Sequence, residues 1–182
     1  MMKLIRSIDL LNDKKRLLHL NILSIFLIVL FFLFFIGVTI LFPVSETPTN
    51  FSVERILLLG IGLILLIVIH ELIHGVFFRV FSPKGKVKFG FDIKKGVAYA
   101  ASPGSKYSRG QFAWISLAPF LLITLGLTIA YFSGALLAGV YIFLATLHGA
   151  ACVGDFYWIY LLLQSPKGSL VEDTEVGINF YH

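Results

Sequence analysis

The chain has 182 residues, of which 58% are hydrophobic and 14% charged, with a mean hydropathy of +0.90. That is more apolar surface than one soluble domain of this size can bury, which excludes a water-soluble fold and implies a membrane protein. The net charge of +5 does not point to nucleic acid, because the basic residues sit where a membrane topology places them.

Residues 1–17 form a basic leader in which Leu4, Ile5, Ile8 and Leu11 fall at helical spacing among Lys3, Arg6, Lys14, Lys15 and Arg16. The pattern suits a short helix on an anionic membrane surface or a disordered basic leader. Four stretches reach the roughly 20 apolar residues that a helical span needs: residues 22–42, 56–78, 112–132 and 135–163, none with Lys or Arg. The first is too long for a signal-peptide core and lacks a small-x-small cleavage site after it, so it reads as a retained anchor.

Between spans one and two, Pro43 and Pro48 with neighbouring Ser, Thr and Asn predict an outer loop. Between spans two and three, Val87, Phe89, Phe91 and Ile93 alternate with Lys88, Gly90, Asp92 and Lys94, and Val97 to Ala101 resumes an apolar run after Lys95-Gly96. This predicts a β-hairpin with one apolar face. Ser133-Gly134 separates spans three and four as a tight helical hairpin, and residues 165–182 form a polar tail holding Glu172, Asp173 and Glu175. The expected fold is thus a membrane all-α bundle of four transmembrane helices, residues 18–164, with a cytoplasmic β-hairpin between helices two and three.

Every Lys and Arg except Arg55 lies in the leader, in the stretch from Arg79 to Arg109 or at Lys167. By the positive-inside rule both termini and the central loop face the cytoplasm, as expected of a multi-pass protein of the plasma membrane. Trp114, Trp158 and Tyr160 then fall toward the same interface. The single cysteine, Cys152, allows no internal disulfide.

Span two contains His70-Glu71-Leu72-Ile73-His74-Gly75, an H-E-x-x-H motif on a helix. Histidines at i and i+4 lie on one face one turn apart, so both imidazoles reach one tetrahedral ion, while Glu71 can hold and deprotonate a water beside it. Chance accounts for the motif poorly, at on the order of 0.005 expected matches in a chain of this length. Each buried ionisable group at mid-membrane also costs about 2.5 to 3.5 kcal/mol, which argues for function over accident.

A catalytic zinc site needs a third protein ligand. Span four offers His148, Cys152 and Asp155 on one helical face. Measured along straight helices from the cytoplasmic end, His70 and His74 lie roughly 17 and 11 Å deep, Asp155 roughly 14 Å and His148 roughly 24 Å. Depth therefore favours Asp155. His148 remains an alternative ligand, a supporting or oxyanion-stabilising group, or a core histidine, and Cys152 reads as packing. Small residues around Asp155 (Gly149, Ala150, Ala151, Gly154) permit close helix approach. Pro119 frees the Ile115 carbonyl and kinks span three near the metal's depth. It is either a tolerated membrane proline or a substrate-positioning residue.

His70 to Gly75, Ser116-Leu117-Ala118-Pro119-Phe120, Gly154-Asp155 and Val171-Glu172-Asp173 together resemble the putative zincin peptidase family of small membrane proteins. The resemblance runs from about Ile56 to the end of the chain. More distantly the chain resembles intramembrane metalloproteases of the site-two-protease class, which implies zinc, two histidines and an aspartate as ligands, and a glutamate base. That class has Asn-x-x-Pro and Asp-Gly where this chain has Ser116-x-x-Pro119 and Asp155-Phe156. The expected function is zinc-dependent endopeptidase activity on a membrane-associated protein or peptide, with a zinc-activated water and Glu71 as general base. The alternative is a metal-binding transporter or scaffold without protease activity.

Overall fold

The computed structural model describes residues 3–45, 52–93 and 96–182. The Pro48 part of the expected outer loop and the Lys95 half of the expected turn lie outside the described residues. Strand β1 (Leu4–Asp9) leads into α1 (Lys14–Leu41), whose first turn is capped by the Asp13 carboxylate accepting from the Arg16 N–H at 3.0 Å. Helix α2 (Val53–Phe81) starts at Ser52, whose hydroxyl caps the Arg55 N–H. After it come β2 (Lys88–Asp92), β3 (Val97–Ala101) and the short β4 (Tyr107–Ser108).

Helix α3 (Arg109–Phe132) opens with a reciprocal capping box between Ser108 and Gln111. It ends where Gly134 turns back with φ +76°, a left-handed conformation that glycine adopts without strain. Helices α4 (Ala138–Ala151) and α5 (Val153–Gln164) follow, then β5 (Leu170–Thr174) and β6 (Gly177–Tyr181).

Helices α1, α2 and α3 are each long and apolar enough to cross a membrane, and α4 with α5 makes a fourth candidate if the pair, bent by 42°, is one span. Apolar side chains along α1 and α2, such as Ile25, Phe26, Leu57 and Ile64, are exposed. In water so large a greasy surface would aggregate, whereas lipid tails solvate it. A third of the most apolar stretch of α3 is buried, against almost none of α1 and α2, so α3 is the inner helix.

The expected hairpin between α2 and α3 is β2-β3, with Phe89 opposite Ala100 and Phe91 opposite Ala98, whereas the expectation of an otherwise all-α protein is corrected by a four-stranded antiparallel sheet of order β1-β6-β5-β4. The leader is a strand rather than a surface helix: Ser7 pairs Asn179 and Ile8 pairs Ile178 on β6. The tail closes that sheet by pairing Val171 with both Phe180 and Tyr107. The sheet therefore gathers the start of α1, the start of α3 and the end of α5 at one end of the helices.

The main core lies at that junction. Ile8, Val171, Ile178 and Phe180 from the sheet pack with Phe78, Phe112, Ile115 and Leu161 from the helices. A second cluster at the other end joins Phe35 of α1 to Tyr131 and Tyr141, whose rings stack at 4.9 Å. The Tyr131 hydroxyl donates to the Phe42 carbonyl at 3.0 Å, tying the exit of α1 to α3.

Candidate metal centre

Helix α2 presents His70 and His74 on one face, and the break at Cys152 places Asp155 in the first turn of α5. The helix dipole favours a carboxylate at that position. The three side chains converge: His70 Nε2 lies 3.1 Å from His74 Nε2 and 3.2 Å from Asp155 Oδ2, and His74 Nε2 lies 3.2 Å from Asp155 Oδ1. Tetrahedral zinc, with bonds of about 2.0 to 2.1 Å, would hold such donors about 3.3 Å apart. The triangle therefore fits a zinc ion with small adjustments.

The hydrogen bonds behind the triangle suit this use. His74 Nδ1 donates to the Ile115 carbonyl at 2.8 Å, and because a carbonyl only accepts, the proton is on Nδ1 and the Nε2 lone pair is free for a metal. That carbonyl is available because Pro119, four residues on in α3, has no N–H to bond it. Pro119 itself is buried and does not line the cavity. On the other side, His70 Nδ1 lies 3.3 Å from His148 Nε2. Among the expected site residues, Glu71 and Asp155 thus stand on the cavity side with both imidazole Nε2 atoms, while His148 and Cys152 stand behind His70.

The cavity in front of the triangle has a volume of about 190 Å³ and is lined by His70, Glu71, His74, Ser116, Asp155 and Trp158 from the helices. Ala151 and Gly154 also line it, and a side chain at Gly154 would meet nothing within 4 Å, so its smallness leaves open space rather than a helix contact. The opposite wall is β3, from Val97 to Ala100, and the Ala100 N–H faces the Glu71 carboxylate. In an antiparallel ladder an outward N–H at one residue implies outward backbone groups two residues away, so Ala98 also turns its N–H and C=O from β2 toward the cavity.

The β5–β6 turn forms a third wall, with Asp173, Thr174, Glu175 and Gly177, and Leu10 and Leu11 close it from beyond β1. Burial holds the Asp173 carboxyl well above the usual carboxylate range, with Asp155 and Glu71 adding to the effect and His74 opposing it. This wall is absent from the reading of the tail as a polar segment. The alternation of Ile178 and Phe180 about Asn179 carries the strand signal.

The family model described as putative zincin peptidase matches residues 63–170, a stretch that contains His70, Glu71, His74 and Asp155. The chain belongs to that family. The match runs from within α2 through α5, whereas β1, α1, the start of α2 and most of the β5–β6 hairpin lie outside it. No curated protein and no solved structure matches the chain.

Proposed function

We propose that the chain is a zinc-dependent, membrane-embedded endopeptidase. The observation that carries this reading is the convergence of His70 Nε2, His74 Nε2 and Asp155 in a cavity that also holds Glu71. Those three residues would hold the ion, which when bound lowers the pKa of water and polarises a scissile carbonyl. Glu71 takes one proton from the attacking water and delivers it to the leaving amine nitrogen as the C–N bond breaks. The Ala100 N–H faces Glu71 across the cavity.

The open edge of β3 supports a peptide substrate. An extended segment adding to it would use the outward backbone groups at Ala98 and bring its carbonyl beside Glu71 and the metal. Adding to a strand also unwinds a helical substrate, which a protease inside a membrane requires. Helices α1, α2, α3 and the bent α4–α5 pair each cross once in this reading. Both termini, the sheet and the hairpin then lie on the cytoplasmic face of the plasma membrane, from which water and a membrane-associated substrate enter.

The test is Glu71→Gln. Cells expressing wild type are expected to show a set of cleaved membrane proteins that accumulate uncut with the variant, while purified variant keeps its metal. Equal cleavage by both would exclude Glu71 as the base, and metal transport that survives the substitution without any cleavage would favour a transporter.

A further inference from the structure

The catalytic reading uses one nitrogen of His70. The other, Nδ1, points into the helix packing, where it lies 3.3 Å from His148 Nε2 and 3.9 Å from Cys152 Sγ, with Cys152 Sγ 3.8 Å from His148 Nε2. His148 and Cys152 are buried. They stand one turn apart at the end of α4, so that helix presents a pair of donors to the point that His70 Nδ1 of α2 also faces.

The spacing of the three donors suits an ion; the Cys152 thiol, while protonated, donates to the His148 carbonyl at 3.2 Å and gives up that bond on binding. A tetrahedral ion about 2.05 Å from nitrogen and about 2.3 Å from sulfur separates its ligands by about 3.3 Å (N to N) and about 3.6 Å (N to S). The observed edges of 3.3, 3.8 and 3.9 Å follow that order. As a hydrogen bond, an N–H to N contact of 3.3 Å is long.

We propose that His70 Nδ1, His148 Nε2 and Cys152 Sγ form a second metal site, back to back with the first across the His70 ring. Two imidazoles and a thiolate select a soft or borderline ion of the Zn²⁺ or Cu⁺ type. Filling this site beside an occupied first site releases two protons, one from His70 Nδ1 and one from the Cys152 thiol, and leaves His70 as a bridging imidazolate. The inference goes beyond the peptidase reading and shares only His70 with it; His74, Asp155 and Glu71 play no part.

The test loads the full chain, purified in detergent and stripped of metal, with Co²⁺, which occupies zinc sites and absorbs visibly when bound to thiolate. Wild type is expected to take about two ions, the second bringing a near-ultraviolet thiolate-to-cobalt band. Asp155→Ala keeps that band with about one ion, and Cys152→Ser takes about one ion without it. His148→Ala weakens the band's midpoint at least about tenfold. Wild type that shows no band, or a His148→Ala midpoint equal to wild type, would overturn the proposal. Should Cys152→Ser take no ion while Asp155→Ala keeps the band, the first site fails and the second stands.

Discussion

Pro119 shows how one residue acts on the site through a group it does not touch. Its missing N–H leaves the Ile115 carbonyl to His74, and that bond sets the tautomer of a ligand. Pro119→Ala restores an N–H that competes for the carbonyl. We expect zinc affinity to fall about tenfold or more, the usual effect of losing a ligand's outer hydrogen-bond partner; competition against a chelator of known affinity measures it, and unchanged affinity would contradict the role. The freed carbonyl was legible in the sequence because proline chemistry is local. Its partner was not, since the helix that faces it is set by packing. Likewise the H-E-x-x-H spacing disclosed His70, Glu71 and His74, but straight untilted helices exaggerated the distance to His148. Helix α4 meets α5 at 42°, and each imidazole reaches away from its own axis.

Glu172 makes a pH prediction at the same scale. Burial raises its carboxyl, but hydrogen bonds from Tyr181 at 2.5 Å and from the Gly104 N–H at 2.7 Å, with help from Asn179 and Lys106, bring it below its ordinary value. A carboxylate lowered in the folded state contributes stability above its unfolded pKa, and that contribution is lost as pH falls through the folded pKa. Glu172→Gln should therefore lower the melting temperature near neutrality, and the difference should shrink as pH falls below the ordinary glutamate range. Parallel melting curves across that range would contradict it.

At the scale of elements, the sheet is where local reading fails. Leu4, Ile5 and Ile8 fit a helical stripe, and β1 is a strand only because β6 supplies its partner from the far end of the chain. Periodicity within a short segment holds no information about such a partner. The β2–β3 hairpin, whose strands are neighbours in sequence, was legible for the same reason in reverse. Gly177 tests the pairing: a Cβ there would meet the Ile8 carbonyl, which is backbone and cannot swing aside. Gly177→Ala is expected to cost about 1 to 3 kcal/mol and to loosen β1. Limited proteolysis before Lys14 reads this directly, and an unchanged cleavage rate would show that β1 does not depend on that contact.

At the scale of the molecule, the apolar helices and the sheet divide the work. The helices carry His70, His74 and Asp155, and the sheet pairs strands from the two ends of the chain and walls the cavity on the side away from the helices. Lys88 and Glu175, paired at 2.6 Å, join the hairpin to the β5–β6 turn beside the cavity. An exposed pair of this kind orients the two pieces more than it stabilises them. Composition alone foretold helices long and apolar enough to cross a membrane, because each carries its own signal, but the cavity is made by segments distant in sequence and appears only with the fold.

The central claim is that His70, His74 and Asp155 hold zinc. The most direct measurement is zinc per chain by mass spectrometry on detergent-purified protein carrying Cys152→Ser, so that the first site alone is available, beside the same protein with His74→Ala or Asp155→Ala added. About one zinc per chain, lost on either further substitution, is the expected result. No zinc before substitution, or zinc retained after both, would contradict the account.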